Sequence, residues 1–580
     1  MPCNFIAELS KLRKLSAESV ENTDKFDQFK NYIHVERPVE LQLRDLLKSI
    51  NSNQSKCLVL LCGSAGDGKS HLISYLKNQD PEKLLKDFEP YNDATESSEP
   101  KLTSIDTLAE RLIAFDDEHC EIQDGKKMII AINLGTLNNF IESPKGQKFS
   151  KLREYVTTHG ILSGFATEPE YQAGSVFQHV SFSDYQVFSL KEDGVKTEFL
   201  ENVLGKIFSQ EEENPFYKAY VEDKKCPLCK RCPVHHNYEF LSNPVHQKAV
   251  IDRIVETVLK DKTIVSTRDV LNLIYDLIVH PDFDKKKIVA GVPDIQYLTD
   301  YISWTTPMLL NEYEDISPLL NMIRKHDILK VRTSEIDVDA TRFHALECID
   351  DVFHDVAGDT PYWVLNGISN LSELGVIKPE LKKKLYKFTV RLMDMDQDST
   401  RSQSQVRYHE YIKYLYYQNS GNEQKLGPLY DATKNAVMNW DGGFTSDTIC
   451  IDDTNEHFWI LEQLQLRASI NKSAKKITGE LQRFSPVLKL QFRSSMQSES
   501  PTVGISIDYS LFELISDMKE GYRPTVNDKN RHANFVSFVQ RLIEFGNKAN
   551  RIILIPKDRD SDNKIVFEET DFGYKFEVMR

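Results

Sequence analysis

Gly63-Ser64-Ala65-Gly66-Asp67-Gly68-Lys69-Ser70 sets small residues, a lysine and a hydroxyl in the spacing G-x-x-x-x-G-K-S. A polyphosphate crowds negative charge into a small volume. Holding it takes many backbone N–H groups aimed at one point, which glycines permit, and the positive end of a helix behind them. In this pattern Lys69 reaches the terminal phosphates and the Ser70 hydroxyl is a Mg²⁺ ligand. The stretch expected to contact a nucleotide is Gly63, Ser64, Ala65, Gly66, Asp67, Gly68, Lys69, Ser70 and His71, with ATP and Mg²⁺ as the cofactors. The bland alternative is a glycine-rich turn followed by a chance Lys-Ser.

Hydrolysis asks for more: an acid on the metal and a polar residue to hold the attacking water. The usual apolar strand ending in Asp-Glu has no clean copy. The strongest later strand, Met128 to Ile132, ends in Asn133. AAA-type ATPases use an Asn at such a tip as the sensor of the water near the γ-phosphate. On that arrangement the acidic strand comes earlier, at Phe88 to Thr95. Asp93 would hold the metal through water, and Glu96 or Asp116 would be the base. Asp93 could equally be a solvated loop acid, and Asn133 a turn residue. Arg268 follows Ser266-Thr267 at the start of an apolar helical run, and either residue can cap it. A cation in a first helical turn opposes the helix dipole and calls for a partner, and leaning over phosphates would supply one.

Cys226, Cys229 and Cys232, followed by His235-His236, form the one cysteine cluster. A two-residue gap lets consecutive thiolates meet one tetrahedral Zn²⁺, with His235 or His236 as fourth ligand. A structural zinc is expected on that reading. The ligands are crowded where two separated pairs would be stronger, so a loop of free thiols stays open, and an iron–sulfur cluster lacks a fourth cysteine.

The elements that must position these groups are legible from apolar periodicity. Glu40 to Ile50 carries a helical stripe of Leu41, Leu43, Leu46, Leu47 and Ile50. Cys57 to Leu61 reads as a buried strand entering the loop, and Ser70 to Lys77 as the helix leaving it. Ile105 to Phe115 reads as an amphipathic helix with Leu108, Leu112 and Ile113 on one side, and Val180 to Leu190 as another strand. Strands alternating with helices predict a mainly parallel sheet covered on both faces. The fold class expected is α/β: an AAA-like P-loop NTPase core with a helical lid, a helical middle region and a mixed α/β C-terminal domain. Soft boundaries give residues 1–55 as a helical segment, 56–193 as the core, 194–290 as the lid with the Cys/His cluster, 291–426 as helical, and 427–580 as mixed α/β.

The chain has 580 residues, 40% hydrophobic and 28% charged, with a net charge of −16. Those fractions are ordinary for a globular protein. The acidic balance argues against nucleic-acid binding by overall attraction. Lys472, Lys475, Lys476, Arg483, Lys489 and Arg493, with Phe484 and Phe492 nearby, make a local basic stretch that could meet phosphates or simply be a solvated face. Tyr408, Tyr411, Tyr414, Leu415 and Tyr416 recur at helical spacing and are read as core rather than as a base-stacking platform. The opening residues lack a signal-peptide pattern, and no apolar run approaches the ~20 residues of a membrane helix. The scattered cysteines fit a reducing, cytoplasmic setting. No nuclease signature is found.

Several stretches together resemble one family. Gly63 to His71 followed by Leu72, Tyr91-Asn92-Asp93-Ala94-Thr95-Glu96-Ser97, and Ile132-Asn133-Leu134-Gly135-Thr136-Leu137-Asn138-Asn139-Phe140 look like the DptF family. So do the opening Leu9 to Leu76, Cys232-Pro233 with Asn237-Tyr238, Ile507-Asp508-Tyr509 and Gly521-Tyr522-Arg523-Pro524. These are the ATPase-type subunits of bacterial DNA phosphorothioation-dependent restriction systems, which restrict DNA lacking the host's sulfur modification. The resemblance runs along the whole chain. It implies a defence ATPase working with partner subunits similar to DptG and DptH and meeting DNA within that complex. Oligomeric state stays open, a homo-oligomer included.

Overall fold

A run that is apolar at every position suits a strand with cores on both sides. In the computed structural model Cys57–Gly63 (β1) is such a strand, buried at all of its positions. The structure describes residues 3–13, 28–53, 55–92, 103–122, 124–163, 171–284, 286, 288, 295–312, 317–330, 338, 341, 360–362, 365, 379–396, 403–440, 447–452, 454–470, 476–494, 502–544, 551–557 and 564–579.

β1 is central in a four-stranded parallel sheet. Phe88–Tyr91 (β2), Lys127–Asn133 (β3) and Phe177–Ser181 (β4) complete it in the order β2-β3-β1-β4. The two-residue period of the strands sorts their side chains into two cores. Leu58, Leu60, Cys62, Met128, Ile130 and Ile132 face one way, against Leu108, Leu137, Phe140 and Leu152 from short helices. Cys57, Val59, Leu61, Ile129 and Ala131 face the other. There they meet Leu43, Leu46, Leu47 and Ile50 of helix Pro38–Asn53 (α1) and Leu72, Ile73 and Leu76 of helix Lys69–Asn78 (α2). The N-terminal segment is thus part of the wall of this sheet. Leu41 of the expected stripe is 47% exposed, so the apolar face of α1 is narrower than its leucines indicate.

Two expected elements change. Ser104–Arg111 is a capped α-helix, and Ile113–Phe115 tightens into a 3₁₀ turn that turns Ile113 outward. The strand expected over Val180 to Leu190 is two strands: β4, then Tyr185–Lys191 (β5), separated by a 3₁₀ turn over Phe182–Asp184. β4 joins the parallel sheet, whereas β5 pairs antiparallel with Gly194–Lys196 (β6).

The chain gathers into two compact units. The first holds Met1–Phe188, Thr197–Val258 and Thr263–Ser399; the second holds Ser189–Lys196, Leu259–Lys262 and Thr400–Arg580. In the first, the helical stretch after β6 includes Pro233–Leu241 (α3) and Thr267–Ile278 (α4). In the second, helix Gln403–Asn419 (α5) buries Tyr411, Tyr414, Leu415 and Tyr416, as its spacing predicts. Of the strands after α5, Thr448–Asp452 (β7), Phe458–Gln463 (β8), Leu466–Ala468 (β9), Leu481–Arg483 (β10), Leu488–Ser494 (β11) and Val503–Ile507 (β12) come first. Arg551–Pro556 (β13), Lys564–Thr570 (β14) and Gly573–Met579 (β15) follow, and one sheet runs β15-β14-β13-β8-β7. The strand pairs β7–β8, β8–β13, β13–β14, β14–β15, β9–β11 and β11–β12 are antiparallel. No helix among the described residues is long and apolar enough to cross a membrane.

Candidate phosphate-binding site

The loop between β1 and α2 is bent by its glycines and tied by its polar side chains. Gly66 has φ +87°, and a Cβ there would sit 2.9 Å from Ser266 Oγ and 3.1 Å from Arg268 Cβ. Gly68, the N-cap of α2, has φ +98°, and a Cβ there would meet nothing within 4 Å. The first glycine therefore makes room for protein, and the second leaves open space over a helix N-terminus, where backbone N–H groups favour an anion. The Asp67 carboxylate accepts from the Ser64 N–H at 2.5 Å, closing the loop on itself. Burial raises the Asp67 pKa, against the pull of Lys69, the Ser64 N–H and Arg37.

Lys69 is buried, and its ammonium donates to the Ser64 carbonyl at 2.5 Å, which holds the cation over the loop. The Ser70 hydroxyl donates to the Asn92 carbonyl at 3.0 Å. That bond brings the first turn of α2 to the exit of β2. Asp93 and Glu96 lie outside the described residues. Asn133 stands beside Gly63 in the β1–β3 register. It precedes helix Leu134–Glu142, and its side chain makes no capping bond there. β3 lies between β1 and β2, so Asn133 stands between the start of the loop and the strand that leads to Asp93.

Arg268 also reaches the loop. Ser266 caps α4 in a reciprocal box with Asp269, and the Arg268 N–H points at the Gly66 carbonyl at 3.4 Å. Asp116 does not come near. It accepts from the N–H groups of Glu118 and His119, and the His119 carbonyl takes the ammonium of Lys56, the residue before β1. That is the end of the strand away from the loop, about 20 Å off at strand rise, too far to act as base.

Arg37 is the residue that sequence reasoning missed. Its guanidinium donates to the Asp67 carbonyl at 3.2 Å and to Thr267 Oγ1 at 3.4 Å, linking the loop to the start of α4. It lies over the rings of Phe182 and Phe199, 5.2 and 4.9 Å from their centroids. Burial pushes its pKa down and Asp67 opposes that. A signal existed: Arg37 sits directly before Pro38, the first residue of α1, where a helix repels a cation.

His71, expected among the nucleotide contacts, is engaged elsewhere. Its Nε2 lies 3.1 Å from His34 Nδ1, and His34 Nε2 lies 3.1 Å from Glu40 Oε2. Burial, then the neighbouring His34, push His71 down to about 4. Glu40 is pushed up by burial, but hydrogen bonds and charge from His34 and Arg44 outweigh this and hold it low.

The cysteine cluster does not assemble as a ligand set. Among the described residues no group of three or more His, Cys, Asp or Glu side chains is disposed to hold a metal ion. A ladder of turns, Cys226 N–H to Asp223, Cys229 N–H to Cys226 and Cys232 N–H to Cys229, strings the thiols along the chain. Cys229 donates to the Lys224 carbonyl. Cys232 is buried, and burial pushes its thiol up to about 12. His235 Nε2 is 2.8 Å from Asp223 Oδ2. Among the described residues Cys226, Cys229, Cys232 and His235, expected as zinc ligands, are therefore not brought together as a metal site.

In the basic stretch, Lys472 and Lys475 lie outside the described residues. Lys476, Lys489 and Arg493 are exposed and Arg483 is half-buried, while Phe484 and Phe492 are core residues.

No protein-family model matches this chain, and neither a curated protein nor a solved structure does.

Proposed function

We propose that the chain binds ATP with Mg²⁺ and hydrolyses it, with an AAA-like P-loop NTPase core. The observation that carries this reading is the loop between β1 and α2. It joins a strand buried on both faces to a helix N-terminus, with Gly68 facing open space, Lys69 over the loop and Ser70 at the exit of β2. In that reading the loop N–H groups and Lys69 take the phosphates. Ser70 and Asp93 hold the metal, Asn133 orients the water, Glu96 serves as base, and Arg268 senses the terminal phosphate. Bound ATP·Mg²⁺ supplies an electrophilic phosphorus and the charge these groups neutralise.

The resemblance to DptF extends the proposal: a cytoplasmic subunit of an anti-phage restriction complex that acts on DNA lacking phosphorothioate. Its partners would be subunits similar to DptG and DptH. A second reading, a nucleotide-gated scaffold with little turnover, is favoured by β2 itself, which leads into Asn92 and a single adjoining acid rather than an Asp-Glu pair.

The test is nucleotide binding and phosphate release with Mg²⁺, for the native chain and for Lys69→Ala. ATP should raise the native melting temperature by mass action, and Lys69→Ala should weaken binding by about 100-fold, as loss of a buried charge-assisted contact does. Equal affinity in the variant would defeat the site. Tight binding without phosphate release, alone or with partners and DNA, would leave the scaffold reading.

A further inference from the structure

The C-terminal hairpin ends its sheet in an apolar edge. β15 is the outermost strand of the order β15-β14-β13-β8-β7. Its Tyr574, Phe576 and Val578 share one face and are 69%, 63% and 62% exposed. That face continues inward: Phe576 lies opposite Phe567, their ring centroids 4.2 Å apart, and Val578 opposite Ile565. Lys575 and Glu577 occupy the other face, paired loosely with each other at 3.8 Å. An edge strand of this length usually carries a proline, a bulge or several charges of one sign to prevent pairing. β15 has the regular register of its whole length with β14 and no proline.

We propose that β15 pairs antiparallel with β15 of a second copy of this chain, about a two-fold axis at Phe576. The sequence Gly573-Tyr574-Lys575-Phe576-Glu577-Val578-Met579 is complementary to itself in that one register. Phe576 faces Phe576, Tyr574 faces Val578 twice, and Lys575 faces Glu577 twice. Sliding the copies by two residues one way sets Glu577 against Glu577; sliding them the other way sets Lys575 against Lys575. Sliding by one residue moves each apolar side chain to the opposite face from its partners. Opposite charges across a strand pair stabilise it and like charges destabilise it, so the charge pattern selects the two-fold register. Such an interface is isologous and closes at two copies, joining two five-stranded sheets into one.

The test is sedimentation equilibrium of the full chain. The native protein should be a dimer. Lys575→Glu and Glu577→Lys should each place like charges at both symmetric positions and raise the dimer dissociation constant by about tenfold or more. Glu577 lies opposite Val566 in β14, so Glu577→Lys leaves the pairing within the hairpin intact. Mixing the two variants should restore a dimer, because the two acidic side chains of the K575E strand then face the two lysines of the E577K strand. A monomeric native chain, growth beyond two copies, or a mixture no tighter than either variant would overturn the proposal.

Discussion

His71 shows how burial sets the pH response of a single residue. Its folded pKa is depressed from 6.5 to about 4 by burial first and His34 second. His236, beside Tyr301, is likewise pushed down to about 4 by burial first and His235 second. The unfolded chain takes up these protons below about pH 6.5, whereas the folded chain resists until about 4. Stability is therefore full above pH 6.5 and falls as pH drops through that window, by about 1.4 kcal/mol per pH unit for each such group. His71→Gln, which cannot titrate, should flatten the fall in melting temperature between pH 6.5 and 4.5. An unchanged slope would mean that other groups set it. The loop residues were readable from sequence because phosphate chemistry restricts residue type and spacing together. For Arg37 the sequence offers only its place before Pro38, which signals an unusual cation but not its partners, because Asp67 and Thr267 are 30 and 230 residues away.

At the scale of elements, α4 is held against the loop by its first turn. Ser266 Oγ accepts from the Asp269 N–H at 3.2 Å and donates to Asp269 Oδ2 at 2.6 Å. The same oxygen bounds the space beside Gly66. Ser266→Ala should cost about 1 kcal/mol through the lost cap. Because Arg268 follows in that turn, ATP affinity should also fall several-fold although Ser266 is not among the expected phosphate ligands. Thermal melts and nucleotide titration of this one variant check both; lower stability with native affinity would detach α4 from the site. Of the elements that sequence reading found, β1 and β3 have an apolar pattern set by two opposed cores, and α2 carries a stripe that faces one of them. Val180 to Leu190 misled because its apolar residues continue through a turn: Phe182 stays buried within Phe182–Asp184, so the pattern carries no break where the chain leaves one sheet for another. For the cysteine cluster, spacing specifies which thiols can meet but not whether local turns bring them together.

For the molecule as a whole, charge decides how it can meet DNA. A net charge of −16 repels a polyanion, and duplex affinity grows with the number of phosphates that cations neutralise. In the basic stretch the described exposed cations are Lys476, Lys489 and Arg493. Phe484 and Phe492 are 3% and 2% exposed, so neither offers a face for stacking bases. A few lysine and arginine contacts give weak, salt-labile binding. The isolated chain should therefore bind duplex DNA with a dissociation constant no tighter than about 10 µM at physiological salt, whether or not the DNA is sulfur-modified. If the proposed role in restriction holds, tighter binding and any preference for unmodified DNA should appear only when basic partner subunits are added, and phosphate release should rise with them. Anisotropy titrations at two salt concentrations, with and without partners, test this. Submicromolar binding by the isolated chain would mean that a local groove outweighs the net charge, and would move DNA recognition from the partners to this protein.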